Sequence, residues 1–479
     1  MFLILFKSEK RRGSNGVFAK KVGILKRESQ TSPKPLVLPK GTERMPVARP
    51  ISPSYTLGVL TVACTLSYLD RQILGLLVEP LKQDLNLTDV QIGLLQGFTF
   101  AIVLATAGLP LGRWVDTGSR VRIAAVGIAL WSIMTAACGF AGSFEALLLC
   151  RAGVALGEAA LTPAAYSLIS DLFPNRRRGF AIGIYSSGAF MGAGLSLVLG
   201  ATALHQLLQA GNGFLLPGTQ HIWQIVFVVI GLPGIAIAVW VASLREPERR
   251  SATNPGAVPG AAEVRSYFAD NRVELASLYL CLAFAAIQSY SYSAWVPSVL
   301  IRTFQMPPIA IGFSLGPIFI ACSVSGLIFG ALLGDILVRR GITAARPMLM
   351  LGGALAASLF TAALPFASTL NTALVLIAIA SFFTTIIVAN GPPALQDITP
   401  ARMRGVSSAV GIMIVTLIGM GLGPTLVGFI GQNIIGDPNK IGIALSIVST
   451  VALVISSALA LVASLNYRLE PDNSASPAA

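Results

Sequence analysis

Apolar residues run along this chain in long stretches separated by short polar segments. Twelve stretches stand out, at residues 55–78, 90–111, 122–142, 145–170, 180–204, 222–244, 273–297, 309–337, 346–366, 371–395, 405–431 and 441–466. A helix needs about 20 apolar residues to cross ~30 Å of hydrocarbon, and only helices and closed barrels leave no backbone group unsatisfied there. The pattern predicts an all-α membrane protein with twelve transmembrane helices. Composition agrees: 54% of the 479 residues are hydrophobic and 11% charged, where a soluble domain carries about 25% charged residues.

Charge then sets the expected topology. The chain is formally +13, but residues 1–50 hold twelve Lys and Arg against three Glu, so this tail carries +9 and the other 429 residues only +4. A polar, basic tail over 1–54 predicts disorder. Charge gathered in one tail suits a solvated extension, or contact with anionic lipid, and not nucleic acid; Met45 is an alternative start. With the N-terminus inside, sixteen Lys and Arg lie in or at the edges of the cytoplasmic loops, and three (Lys82, Arg302, Lys440) lie outside. The positive-inside rule therefore puts both termini, including the tail 468–479, in the cytoplasm.

An internal repeat divides the chain. Asp171-Leu-Phe-Pro-Asn-Arg-Arg-Arg178-Gly179 and Asp397-Ile-Thr-Pro-Ala-Arg-Met-Arg404-Gly405 share five residues at an offset of 226. Gly112…Asp116…Arg120 likewise matches Gly330…Gly334-Asp335…Arg339-Arg340, with Asp335 219 residues after Asp116. Two matches in corresponding loops mark a duplicated six-helix unit. The expected domains are two pseudo-symmetric six-helix bundles, 55–244 and 273–467. The linker is 245–272, which holds Pro247, Pro255, Pro259, Gly256 and Gly260.

Four charges interrupt the apolar pattern. Asp70 and Arg71 lie deep in the first span; Arg151 and Glu158 lie seven residues apart, on one face, in the fourth. A single charge near a bilayer centre costs at least ~2.5–3.5 kcal/mol, so such groups turn inward and find partners. Adjacent helical residues diverge by ~100°, so Asp70 and Arg71 each need another helix. A neutral quartet follows, with Arg151 opposite Asp70, and Glu158 nearer the middle neutralised by Arg71 or by a proton. Glu158 or Asp70 is the expected proton carrier, with Arg71 and Arg151 open to competition from a charged substrate. The reading weighed against it is a static staple between two helices.

Together these features resemble the major facilitator superfamily, over residues 55–467. Within it, Tyr68-Leu69-Asp70-Arg71, Arg151-Ala-Gly-Val-Ala-Leu-Gly157-Glu158, Thr162-Pro163-Ala164 and Asp171…Arg178-Gly179 are similar to the spinster-like branch. The resemblance implies the superfamily's two-bundle fold, alternating access, and carriage of lysolipids or sphingoid-type lipids with proton-linked acids in the first and fourth helices. Two departures stand out: Thr117 replaces a basic residue after Asp116, and the glycine-rich fifth span lacks the proline of the antiporter signature. In this setting Asp116, Arg120 and Arg178 would form a cytoplasmic ion-pair latch that holds the outward-open state and breaks on inward opening, or else simply anchor the topology. Asp335 and Arg404 stand at the matching places of the second half.

The second half carries no ionisable residue in mid-span, and its polar content is neutral and aromatic. Gln96 and Tyr185 from the first half, and Gln288, Tyr292 and Asn390 from the second, are expected to line a cavity suited to an amphipathic molecule. The five cysteines, Cys64, Cys138, Cys150, Cys281 and Cys322, fall in apolar spans without paired spacing and read as small buried hydrophobes. No metal site or cofactor is expected. The chain lacks H-E-x-x-H, G-x-S-x-G and phosphate-loop motifs, which argues against an enzyme and against ATP hydrolysis. The expectation is a monomeric, proton-coupled secondary carrier of an amphipathic lipid or organic anion in a bacterial inner membrane, its partners being that substrate, protons and membrane lipid. The alternatives are a proton symporter for a small carboxylate, and a non-transporting receptor or passive scramblase.

Overall fold

The computed structural model describes residues 52–210, 221–249, 261–400 and 403–467. The basic tail, the middle of the linker and the C-terminal tail lie outside the described residues. Fifteen helices follow one another: α1 (Pro53–Leu76), α2 (Val78–Leu85), α3 (Asp89–Thr117), α4 (Arg120–Cys138), α5 (Phe144–Glu158), α6 (Leu161–Leu172), α7 (Asn175–Ala210), α8 (Ile222–Ala242), α9 (Ala261–Asp270), α10 (Arg272–Phe304), α11 (Pro308–Arg339), α12 (Ala345–Ala363), α13 (Leu370–Ile398), α14 (Arg404–Ile435) and α15 (Ile441–Asn466). Among the described residues, ten are long and apolar enough to cross a membrane. The expected spans outside these ten are the two that carry the buried charges. One is α1, made less apolar by Asp70-Arg71-Gln72. The other is the fourth span, broken into α5 and α6.

Local chemistry explains the starts and breaks. Ser52, Ser119, Ser143 and Thr369 each accept a hydrogen bond from a backbone N–H three residues on, capping α1, α4, α5 and α13. Thr88 and Gln91 close a reciprocal capping box at the start of α3. The fourth span breaks at Ala159-Ala160, just before Pro163, whose missing N–H cannot bond back to the carbonyl four residues earlier. Within α3, residues Leu94–Phe98 form a π turn, and α14 has another over Val415–Met420. Such turns are common at functional positions because they rotate the side chains that follow. The linker region is not all irregular, since α9 occupies 261–270 of it.

Helices α1 to α8 form one bundle, in which α1 packs on α7 and α4 on both α5 and α8. Helices α10 to α15 form the other, with α15 on α10 and α12, and α13 on α11 and α12. Large apolar side chains such as Val126, Leu149 and Leu359 remain exposed, as a lipid-facing surface requires. The bundles meet through α1 with α10, α3 with α14, and α7 with α11. Glycines allow the backbones to approach. A Cβ on Gly75 would stand 2.7 Å from the Ser293 carbonyl, one on Gly93 2.8 Å from the Pro424 carbonyl, and one on Gly316 2.9 Å from the Gly194 carbonyl.

Hydrogen bonds and ion pairs between the bundles gather toward one end of the molecule. Arg302 of α10 reaches Glu79 at 2.8 Å and Asp89 at 3.0 Å, and Lys82 also pairs with Asp89. Thr425 donates to the Gly93 carbonyl, Ser293 to Gln72, and the Val90 N–H to Gln432. This end is sealed. A valine at Gly93 would drive its side chain into the α14 backbone. Gly93→Val is therefore expected to open this contact and to raise several-fold the rate at which an impermeant maleimide labels Thr425→Cys in reconstituted protein. An unchanged rate would show that the close approach does not hold the seal.

Candidate functional site

The four intramembrane charges converge, though not as two symmetrical pairs. Arg71 pairs with Glu158, its Nε donating to Glu158 Oε2 at 3.1 Å and its terminal nitrogen bonding the same oxygen. The break after Glu158 puts this carboxylate at the C-terminal end of α5, where the helix dipole disfavours an anion. Arg71 supplies the compensation. The guanidinium also lies over the rings of Tyr68, at 4.6 Å, and Phe100, at 4.9 Å. Phe100 comes from α3, two residues beyond its π turn, and its ring is shared by Arg151 at 5.0 Å.

Arg151 does not pair with Asp70, contrary to the sequence expectation. No ion pair joins them, and all three guanidinium nitrogens of the fully buried Arg151 lack an acceptor among the described residues. Asp70 instead accepts from Thr135 of α4 at 3.4 Å, and its other carboxylate oxygen has no donor, as is also true of Glu158 Oε1. Each of the two groups meets a neighbour other than its opposite charge, Arg151 the ring of Phe100 and Asp70 the hydroxyl of Thr135. A buried cation–π contact is worth about 2 kcal/mol or more, enough to hold Arg151 in place but less than a paired buried charge requires.

The polar positions expected to line a cavity divide. Gln96 is half-buried with its amide nitrogen unpartnered, and Gln288 is buried with its carbonyl oxygen unpartnered, so both retain free hydrogen-bonding capacity. Tyr185, Tyr292 and Asn390 sit instead between helices of one bundle. Tyr185 is buried against Thr162 and the edge of Tyr166; Tyr292 donates to Thr361 at 3.0 Å; Asn390 donates to the carbonyls of Gly330 and Ile386. These three tie helices within a bundle, although Asn390 Oδ1, like Gln288 Oε1, is buried without a partner among the described residues.

At the end opposite the seal, the expected latch is rearranged. The Asp116 side chain is exposed and joins no ion pair among the described residues; its carbonyl, with those of Val115 and Gly118, accepts from Arg249. Arg120 is fully buried and bridges Asp171 and Glu246, with further bonds to Ser167 and the Pro247 carbonyl. Arg178 donates to the Ser170 carbonyl. The second bundle repeats the design. Arg346 bridges Asp335 and Asp397, each at 2.9 Å, and Arg404 bonds the Gln396 carbonyl. Arg346, Asp397, Arg404 and Gln396 stand 226 residues after Arg120, Asp171, Arg178 and Ser170. Arg346 and Glu246 were missed from the sequence. The repeat offset pointed to the first, and nothing in the local pattern marked the second.

Glu246 lies beyond α8. Burial raises its pKa, but the Val121 N–H, the Arg120 guanidinium and the Ser119 hydroxyl together outweigh this and hold the carboxyl below its usual range. A depressed value means the carboxylate contributes stability above the ordinary carboxylate pKa of about 4.3. That contribution is lost as pH falls through the lowered value. On acidification below that range, the thermal midpoint of the wild type is expected to fall more steeply than that of Glu246→Gln. Parallel profiles would remove Glu246 from the cluster. Arg120→Ala, which strands two acids, is expected to cost about 3–5 kcal/mol, whereas Asp116→Asn changes the midpoint little in the same measurement.

Three comparisons place the chain among known proteins. The family model for the Major Facilitator Superfamily matches residues 60–424. An MFS-type efflux pump of Mycolicibacterium smegmatis is 31% identical over 286 residues, 59% of this chain and 62% of the pump, so the match spans less than two thirds of that relative. A probable L-galactonate transporter of Escherichia coli K12 is 27% identical over 68% of this chain and 71% of its own length. Among solved structures, a bacterial homologue of the human lysosomal transporter spinster, in an inward-facing and unoccupied conformation, aligns with a TM-score of 0.74 at 29% identity, covering 88% of this chain and 99% of that one.

Proposed function

The chain belongs to the major facilitator superfamily, and from that premise we propose that it is a proton-coupled secondary carrier of an amphipathic organic anion working by alternating access. The observation that carries the proposal is Arg151: a buried cation without an acceptor, next to the formed Arg71–Glu158 pair and the half-satisfied Asp70. A buried guanidinium of this kind favours an anion, and guanidinium geometry matches carboxylate and phosphate alike. A substrate headgroup at Arg151 would change the field at Asp70 and Glu158, the two acids able to take up a proton. Residues 55–244 and 273–467 are read as the two moving bodies, joined by 245–272, with Gln96 and Gln288 as neutral polar contacts. The distribution of loop Lys and Arg supports the Arg120 and Arg346 end as cytoplasmic. With the opposite end sealed, the arrangement then corresponds to an inward-facing state, the state of the solved spinster homologue.

A small carboxylate, such as the galactonate named for the Escherichia coli relative, is the second reading, favoured by the same free guanidinium. Proteoliposomes with an imposed pH gradient test both, with lysophosphatidylglycerol and galactonate as labelled probes. Wild type is expected to accumulate one of them in a pH-dependent manner. Glu158→Gln and Asp70→Asn are expected to lose the pH dependence in at least one of the two variants, and Arg151→Gln to lose uptake. If pH dependence survives in both acid variants, these carboxylates are not the carriers.

A further inference from the structure

A histidine at the sealed end stands apart from the four buried charges. His221 precedes α8, and its Nδ1 lies 3.1 Å from Asp84 Oδ2, near the end of α2. The same carboxylate oxygen accepts from the Trp223 indole N–H at 2.6 Å. Trp223 is buried, its ring nearly parallel to that of His221 and met edge-on by Phe227. The His221 ring also accepts from the Gln224 N–H and so helps to cap α8. One imidazole therefore faces a donor on one element and a carboxylate on another. A neutral ring keeps a lone pair for the cap, whereas a protonated ring can only donate. Losing the ring as acceptor strands nothing, because the Gln224 N–H also reaches the His221 carbonyl at 3.2 Å.

The place of Asp84 gives this switch its consequence. Two other residues of the short helix α2 belong to the seal: Glu79 bonds Arg302 of the opposite bundle, and Lys82 pairs with Asp89. We propose that His221 is a proton-operated fastener of the seal: when protonated it pairs with Asp84 and anchors α2 to α8, holding Glu79 and Lys82 where Arg302 and Asp89 meet them. Acid at this face favours the closed seal, and loss of the proton loosens it. Histidine is the side chain whose ordinary charge change falls between about pH 5 and 8. With 42% of the His221 side chain and 24% of that of Asp84 exposed, protons reach the pair from water. The neighbouring ionisable groups do not duplicate it. Glu79, Lys82 and Asp89 are paired within the seal, Glu145 in the first turn of α5 is exposed, and His205 near the end of α7 bonds Gln209 at 3.0 Å. Helix α8 contains no ionisable side chain, and neither do residues 211–220, which lie outside the described residues. The fastener acts whether or not Asp70 or Glu158 carries the transported proton.

The full chain in nanodiscs, carrying the Thr425→Cys reporter, tests this through its rate of maleimide labelling at about pH 5.5 and about pH 8, spanning the histidine range. Each rate is divided by that of the same reporter in detergent-unfolded protein, which removes the pH dependence of the thiol itself. Labelling in acid is expected to be about two- to fivefold slower, the factor a partly exposed ion pair supplies. Tryptophan emission falls over the same range, because a charged imidazole quenches the indole beside it. His221→Gln labels at the alkaline rate at both pH values and loses the emission change, while His205→Gln and Asp70→Asn keep both responses; size-exclusion profiles confirm that each variant is folded. An undiminished acid response in His221→Gln, its loss in His205→Gln, or faster labelling of the parent in acid would each overturn the proposal.

Discussion

The structure is organised around an incomplete neutralisation. Four ionisable groups are buried in apolar surroundings, and only one ion pair forms among them. Opposite charges about 4 Å apart gain roughly 4 kcal/mol at an effective dielectric near 20, while each buried ion loses several kcal/mol of hydration. The Arg71–Glu158 pair, with two aromatic faces against its cation, meets that cost. Arg151 has one face of Phe100 and no acceptor, and Asp70 has one long hydrogen bond. Several local irregularities serve this cluster. The break after Glu158 frees its end of α5, the π turn rotates Phe100 between two guanidiniums, and Thr135 comes from a third helix. An uncompensated cation within a packed bundle is a state prepared for a change of charge, by an arriving anion or by a moved proton.

The two ends of the molecule handle charge by different rules. At the sealed end Arg302 crosses between the bundles to Glu79 and Asp89. At the opposite end the ion clusters around Arg120 and Arg346 stay within a bundle, each tying helices that move together. The duplication makes this contrast sharp. Arg120 and Arg346 do the same work 226 residues apart, bridging two acids each and fastening the loop after the second or eighth span to the helix that ends in the Asp171 or Asp397 motif.

Much of this was legible in the sequence, and the exceptions have physical causes. Span number, repeat and the identity of the four buried charges follow from hydropathy and from the rarity of charge in mid-span. Pairing within the quartet was half legible: Arg71 with Glu158 was open to inference, but the Arg151–Asp70 pair was not made. Arg151 lies against an aromatic ring from α3 instead, and a phenylalanine in an apolar helix carries no mark of its neighbours. The latch of Asp116, Arg120 and Arg178, expected of an outward-open state, is not formed here: Asp116 is exposed and Arg120 turns to Asp171 and Glu246. A polar residue in an apolar span, such as Tyr292 or Asn390, is equally the signature of a cavity wall and of the ties between helices that both make here.

The seal itself must be reversible if the bundles are to rock, and its composition suits that requirement. A two-state molecule alternates when its states differ by only a few kcal/mol. A large side chain knitted into the opposite bundle would leave a cavity on parting, at about 2–5 kcal/mol for each one. Glycine against backbone at Gly75 and Gly93 leaves none, because no side chain is withdrawn. Arg302 and Asp89 are buried where the bundles meet and Glu79 is partly exposed, so when the bundles part the hydration these groups regain offsets much of the Coulomb energy they lose. A glycine contact beside charges that regain water on parting therefore closes firmly enough to exclude water and still opens at a cost that substrate and proton binding can offset.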